Sequence, residues 1–348
     1  MPVALPTVNP RPSGSVLTDD PLARVAALPG VRDAADAARA AVDALLRHRI
    51  LRRRSAEVTT EASLRAARAS ASLEGHDVDL DLLRQRLQDG GAGSPAGHDV
   101  AAGAGSGQGV IEAVGADPAS AAGGDSAGGD SAAGPAELSV VLGTVRLYGE
   151  LGVLAPAWER APRQALARMH VLLGRGALPD EVLGRPRPDA GGPPQLDPLR
   201  LGPPPATMEA SVRLDGLTGL LVAPTAAPAI IVAAVVHGEL LALRPFGALD
   251  GVIARAAARL VLISRGLDPK ALTATDVGHL EAGLARSGQT SNNDAHAQQT
   301  PVLDYQAAAD AYVHGGRDGV IAWLAHCSRA LELAARESLA ICEALSRA

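Results

Sequence analysis

Six aromatic side chains in 348 residues set the first limit on what this chain can fold into. They are Tyr148, Trp158, Phe246, Tyr305, Tyr312 and Trp323. The hydrophobic share still reaches 47%, carried mostly by Ala, Leu and Val. A core of that make-up suits close-packed helices, whereas β-sandwiches draw on aromatic and β-branched residues. No apolar/polar alternation runs longer than a few positions, and no β-α-β rhythm is present. The expected fold class is all-α.

The same composition excludes much chemistry. Lys270 is the only lysine, so 31 of the 32 basic residues are arginine. A Walker A loop needs Gly-Lys-Ser/Thr, and Lys270 stands between Pro269 and Ala271. A kinase strand lysine or a pyridoxal Schiff-base lysine would have to be this one residue, in the wrong context. No G-x-G-x-x-G follows a strand, so no dinucleotide-binding sheet is expected. A net charge of −6 opposes nucleic-acid binding, which wants a basic face and stacking aromatics. Cys327 and Cys342 offer neither metal-ligand spacing nor a disulfide framework. The N-terminus lacks the basic start and apolar run of a signal peptide. The most apolar stretch, 226–236, is interrupted by His237, Gly238 and Glu239, and reads as a buried core helix rather than a membrane span. A cytoplasmic location with no membrane partner is the resulting expectation.

Along the chain, residues 1–20 are Pro-rich and read as a disordered arm. Asp20-Pro21 looks like a helix start, and helical patterns follow over 31–53 and 59–73, with Asp79 capping another. From 89 to 135 the composition collapses to Gly, Ala, Ser and Asp, with GGDSA repeated in tandem at 123–132. That insertion cannot bury enough apolar area to offset its ordering entropy, and its GAGSGQG run lacks the strand and lysine of a phosphate loop. Helical patterns resume over 136–153, 158–174, 207–222, 227–243, 250–265, 274–286, 303–313 and 317–346, separated by loops at about 177–206 and 287–300.

One constellation carries chemistry. The apolar helix ending at Leu243 leads into RPFGALDGVIAR, residues 244–255, and then a second helix. Backbone N–H groups near Asp250 and Gly251 would form an anion site at that helix N-terminus, with Arg255 one turn in. Asp250 can serve there as an N-cap. The segment resembles the Fic (Fido) family motif H-P-F-x-D/E-G-N-G-R-x-x-R at Pro245, Phe246, Gly251 and Arg255. His237 stands seven residues upstream, as the family pattern has it, and RLVLISRGL at 259–267 is similar to the family's following segment. A second match is independent: family members with an inhibitory helix carry Ser/Thr-x-x-x-Glu-Gly/Asn, present here as Ser70, Glu74 and Gly75. Weaker similarities lie in ALARMHVLL at 165–173 and around Trp323 at 315–334. The resemblance implies a Fic-like helical core over 136–348, preceded at 21–88 by helices that include an inhibitory-type one. Phe246 is then expected to pack beneath the loop.

The family transfers AMP or related phosphate-bearing groups to protein hydroxyls. The departures from its motif define what this chain can do. The family's catalytic base is a histidine at the position of Arg244, and a guanidinium with a pKa above 12 takes no proton in that role. The family's Mg²⁺-holding acid falls on Ala248, its first glycine on Leu249, its asparagine on Asp250 and its first arginine on Val252. The resemblance would imply Mg²⁺ and ATP, but the metal ligand is missing, so no cofactor is expected. No catalytic residue is assigned. Arg244, Asp250, Gly251 and Arg255 remain candidates for nucleotide or anion binding. Ser70, Glu74 and Gly75 are candidates for an autoinhibitory contact, either as a plain ion bridge from Glu74 to Arg255 or as a plug over an anion pocket. His237 reads as a hydrogen-bonded core histidine, His170 as packed on its helix, and His326-Cys327 as pointing to different helix faces. The expected function is that of a catalytically impaired, Fic-like binding or regulatory protein with an unidentified protein partner and at most weak nucleotide or phosphate binding. The alternatives are an active transferase with a diverged mechanism, using Asp250 as base, and a helical scaffold.

Overall fold

The structure is a computed structural model, described for residues 20–92, 135–189, 197–284 and 303–347. The expected arm up to residue 19, most of the low-complexity insertion and the polar loop at 287–300 lie outside the described residues. The described residues form thirteen α-helices and no strand. In chain order these are α1 (Pro21–Ala26), α2 (Val31–Leu46), α3 (Leu51–Ser72), α4 (Leu80–Ala92), α5 (Pro135–Gly149), α6 (Leu151–Arg160) and α7 (Pro162–Gly174). Then follow α8 (Thr207–Val222), α9 (Ala229–Leu243), α10 (Asp250–Ser264), α11 (Thr275–Leu284), α12 (Tyr305–His314) and α13 (Gly316–Arg347).

Local chemistry sets most boundaries. Asp20 caps α1 by accepting from the Ala23 N–H at 3.0 Å, with Pro21 at the first position, where its missing N–H costs nothing. Asp79 caps α4 and Asp304 caps α12 in the same way. Four expected boundaries move. The pattern over 31–53 ends at Leu46, and α3 begins at Leu51 rather than 59, so that Leu45, Leu51 and Val58 share a small core with Leu272 and Ile341. The pattern over 136–153 breaks at Gly149–Glu150, where α5 and α6 meet at 67°. The pattern over 158–174 breaks at Ala161, held at φ −145°, ψ 66°, because the residue before a proline is pushed out of the helical region.

At the centre lies α9, whose residues from Ile230 to Leu243 are buried almost without interruption. A helix apolar on all sides needs protein on all sides. It receives α10 along one flank, and α8, α12 and α13 pack around it. The 32 residues of α13 span about 48 Å and form a spine against α2, α11 and α12. Trp323 of α13 is sealed in the core, and its indole N–H donates to the Ala234 carbonyl at 2.8 Å. Among the described residues no single helix is long and apolar enough to cross a membrane; α5 and α6 reach that length and composition only as a bent pair. This packing places the 244–249 loop between α9 and α10, with the end of α3 laid across the start of α10.

Candidate functional site

The loop between α9 and α10 opens and closes on left-handed residues that are not glycine. Arg244 has φ 42°, ψ 63°, and Leu249 has φ 59°, ψ 17°. For an ordinary side chain that conformation costs about 1–2 kcal/mol per residue. Leu249, where the sequence resemblance would place a motif glycine, thus adopts a conformation that glycine takes readily. The carboxylate of Asp250 helps hold this shape. It turns back and accepts from the Phe246 N–H at 3.0 Å. The expected N-cap role is therefore corrected: Leu249 is the N-cap of α10, and Asp250 is its first helical residue, bonded to the loop. Burial pushes the Asp250 carboxyl up to about pH 7. The Phe246 and Gly247 N–H groups oppose this, Glu74 adds to it and Arg244 opposes it more weakly.

Arg244 is held by the 197–202 segment. One Nη donates to the Gly202 carbonyl, and the other lies 3.4 Å from Asp197 Oδ1. Asp197 in turn accepts from the Leu201 and Gly202 N–H groups, each at 2.8 Å, which folds residues 197–202 into a flap over the loop. Burial lowers the Arg244 pKa, and Asp197 and Asp250 counter the effect. Its Nε has no partner among the described residues.

Arg255 is enclosed. Its Nη2 lies 2.8 Å from Glu74 Oε1 and donates to the Ser70 carbonyl at 2.8 Å; its Nε donates to Ser70 Oγ at 2.8 Å and its Nη1 to Tyr305 Oη at 3.0 Å. Burial works against its charge, but Tyr305, Glu74, Tyr148 and Asp276 outweigh it and hold the pKa above the ordinary guanidinium value. Gly251 explains how Glu74 reaches this position. A Cβ on Gly251 would sit 1.9 Å from Glu74 Oε1. The anion at the α10 N-terminus is thus the chain's own Glu74 carboxylate, where the helix dipole favours it. Gly75 follows with φ 88°, closing α3 with the turn that a glycine permits.

Sequence reasoning missed the second anchor. Asp276 of α11 is fully sealed, lies 3.5 Å from Arg255 Nε and 3.8 Å from Arg259 Nη1, and accepts from the Tyr148 hydroxyl at 2.6 Å. Arg259 lies over the Tyr148 ring, 4.6 Å from its centroid. Tyr305 Oη accepts from Arg255 Nη1 and shares a 2.8 Å hydrogen bond with His237 Nε2, and burial holds His237 neutral in the core. His170 does more than pack on its helix. Its ring stacks on Phe246 with centroids 4.4 Å apart, and its Nδ1 accepts from the Gly184 N–H at 2.9 Å. Phe246 itself is half-buried against the core. His326 and His279 share a 3.0 Å hydrogen bond, and Cys327 lines a small pocket together with His237 and His279.

These elements leave a narrow cleft of about 40 Å³, lined by Glu74, Asp197, Leu241, Arg244, Ala248 and Asp250 among others. Its residues do not fit Mg²⁺. Ala248 supplies no oxygen, Asp250 accepts backbone N–H groups, Glu74 is paired with Arg255, and no cluster of three metal-ligating side chains exists among the described residues.

No protein-family model matches the chain, and no curated protein matches it. Among solved structures, it is similar to a crystal structure of a Fic family protein from Desulfovibrio desulfuricans G20, with a TM-score of 0.55 and 15% sequence identity, over 88% of this chain and 74% of that one. With thirteen helices and no strand among the described residues, the chain has a Fic-like, all-helical fold.

Proposed function

We propose that this chain is a catalytically impaired, Fic-like binding or regulatory protein, with an unidentified protein as its partner and a cytoplasmic location. The observation that carries the reading is the orientation of Arg244: the group at the base position is a guanidinium bonded to Gly202 and directed at Asp197. It can neither take a proton from a hydroxyl nor turn to a phosphate without releasing the flap. Losing a general base alone typically costs 10²–10⁴ in rate. With Ala248 offering no metal ligand, any nucleotide or phosphate binds weakly and without Mg²⁺.

The left-handed Arg244 and Leu249 favour binding over a bare scaffold. A loop that stores strain at both ends serves something that depends on its shape. The reading is tested by thermal shift with ATP, ADP and phosphate, with and without Mg²⁺. A native-state ligand at a hundredfold excess over its Kd raises stability by about 2.7 kcal/mol. Small, Mg²⁺-independent shifts support the reading. Large Mg²⁺-dependent shifts contradict it, and no shift at all moves the scaffold to first place.

One observation favours the enzyme alternative. Asp250 lines the cleft, and its carboxyl is raised to about 7, the range of a working general base. Its use requires the Phe246 N–H bond to break first. Turnover abolished by Asp250→Asn would support that alternative.

A further inference from the structure

A second cavity, of about 220 Å³, lies behind the loop. Its walls are apolar: Leu166 of α7, Ala210 and Leu214 of α8, and Pro186, Pro245 and Phe246 from the loops. Its make-up is that of a small-ligand pocket, which pairs apolar walls with a few placed polar groups. The polar groups here are Arg163, Arg187, Thr207 and Ser211.

The charge on those groups does not balance. Arg163 is paired with Asp215, and its other amino group reaches Ser211 Oγ at 3.5 Å. Arg187 is buried, and its bonds are to neutral oxygens: Nε donates to the Arg244 carbonyl at 2.9 Å and Nη2 to the Pro205 carbonyl. Among the described residues it makes no ion pair, and its Nη1 has no partner. The carboxylate it influences, Asp189, is exposed and already accepts from the Thr207 N–H at 3.0 Å. The exposed Asp189 carboxylate acts on Arg187 without forming an ion pair, and an anion brought in by a ligand would add a directly bonded counter-charge.

We propose that this cavity binds a small amphipathic acid, an apolar body ending in one carboxylate, with the carboxylate held by Arg187 Nη1 and the body against Leu166, Leu214 and Phe246. The site is separate from the cleft but shares the loop with it. Arg187 also donates its backbone N–H to the Pro245 carbonyl at 2.9 Å, so the residue that receives the ligand is the one that fastens the loop.

The test uses the full chain and titration calorimetry with 2-naphthoate and its neutral analogue 2-naphthamide. The proposal expects saturable 2-naphthoate binding, with 2-naphthamide at least tenfold weaker. Ala210→Trp should fill the cavity and abolish binding. Ser211→Trp, at a half-buried position on the rim, does the same without burdening the core, so the result does not depend on Ala210→Trp folding. No 2-naphthoate binding at millimolar concentration, equal affinity for the two compounds, or full binding retained in a folded Ser211→Trp protein would each overturn the proposal.

Discussion

Replacing Asp276 by Asn should destabilise the protein more than replacing Glu74 by Gln, although Glu74 makes the shorter contact with Arg255. Glu74→Gln removes one charge from Arg255. The amide oxygen can still accept from Nη2, and Arg255 keeps Ser70, Tyr305 and the charge of Asp276 at 3.5 Å. Glu74 also lines the cleft, where water can take its place. The loss is that of one charge-assisted hydrogen bond, about 1.5–3 kcal/mol. Asp276→Asn preserves an acceptor for the Tyr148 hydroxyl but removes the carboxylate shared by two guanidiniums that are both sealed from water. Arg259 is then left with a carbonyl at 3.4 Å and the Tyr148 ring. Breaking a buried pair on one side typically costs 3–5 kcal/mol. Urea unfolding of the parent and the two variants measures the difference. A Glu74→Gln loss equal to or larger than that of Asp276→Asn would refute the argument that Asp276 is the principal anchor of Arg255.

Further outcomes follow from the same geometry. Gly251→Ala should displace the Glu74 carboxylate and cost about 1–3 kcal/mol, the penalty of leaving Arg255 without it. In a Glu74→Ala background the same change should cost nothing or gain up to about 1 kcal/mol of helix propensity, as a double-mutant unfolding cycle would reveal. His170 and His326 are held neutral by burial, with pKa values near 4. Their unfolded forms take up protons below about pH 6.5, so stability present above that pH is lost as it falls toward 4, by about 3 kcal/mol per histidine. Asp250, raised to about 7, acts in the opposite sense and favours the folded state as pH falls from 7 to its unfolded value near 4. Asp250→Asn should therefore steepen the acid-side loss in unfolding curves taken at pH 7, 6 and 5. In calorimetric titrations, phosphate or ATP should bind weakly without Mg²⁺, more tightly to Glu74→Ala and less tightly to Arg255→Ala; parent and Glu74→Ala both silent at millimolar ligand would mean that the cleft holds no anion.

The pairing of Glu74 with Arg255 was legible because each residue sits in a short motif of its own. The helix-loop-helix itself was legible for the same reason, whereas the bond from the Phe246 N–H to Asp250 and the room that Gly251 leaves for the carboxylate were not. The partners that enclose Arg255 were not. Tyr148, Asp276 and Tyr305 come from α5, α11 and α12, and nothing in their local spacing sets them apart from ordinary helix residues. The orientation of Arg244 was equally hidden, since it depends on a flap that begins 47 residues upstream at Asp197. In the fold, helix existence was carried by apolar periodicity. The boundaries at Leu46, Gly149 and Ala161 depended on tertiary packing and on a single proline, which periodicity cannot register.

The central proposal is that this Fic-like fold is impaired in AMP transfer; the contact between Glu74 and Arg255 is in place. The proposal is tested most directly by incubating the Glu74→Gly protein with labelled ATP, Mg²⁺ and general protein acceptors, and measuring label in protein by mass spectrometry. In an enzyme with base and metal ligand intact, that change would free Arg255 for phosphate. Here Arg244 and Ala248 remain, and the account predicts no transfer to the acceptors or to the chain itself. Robust labelling of either by the Glu74→Gly protein would contradict it.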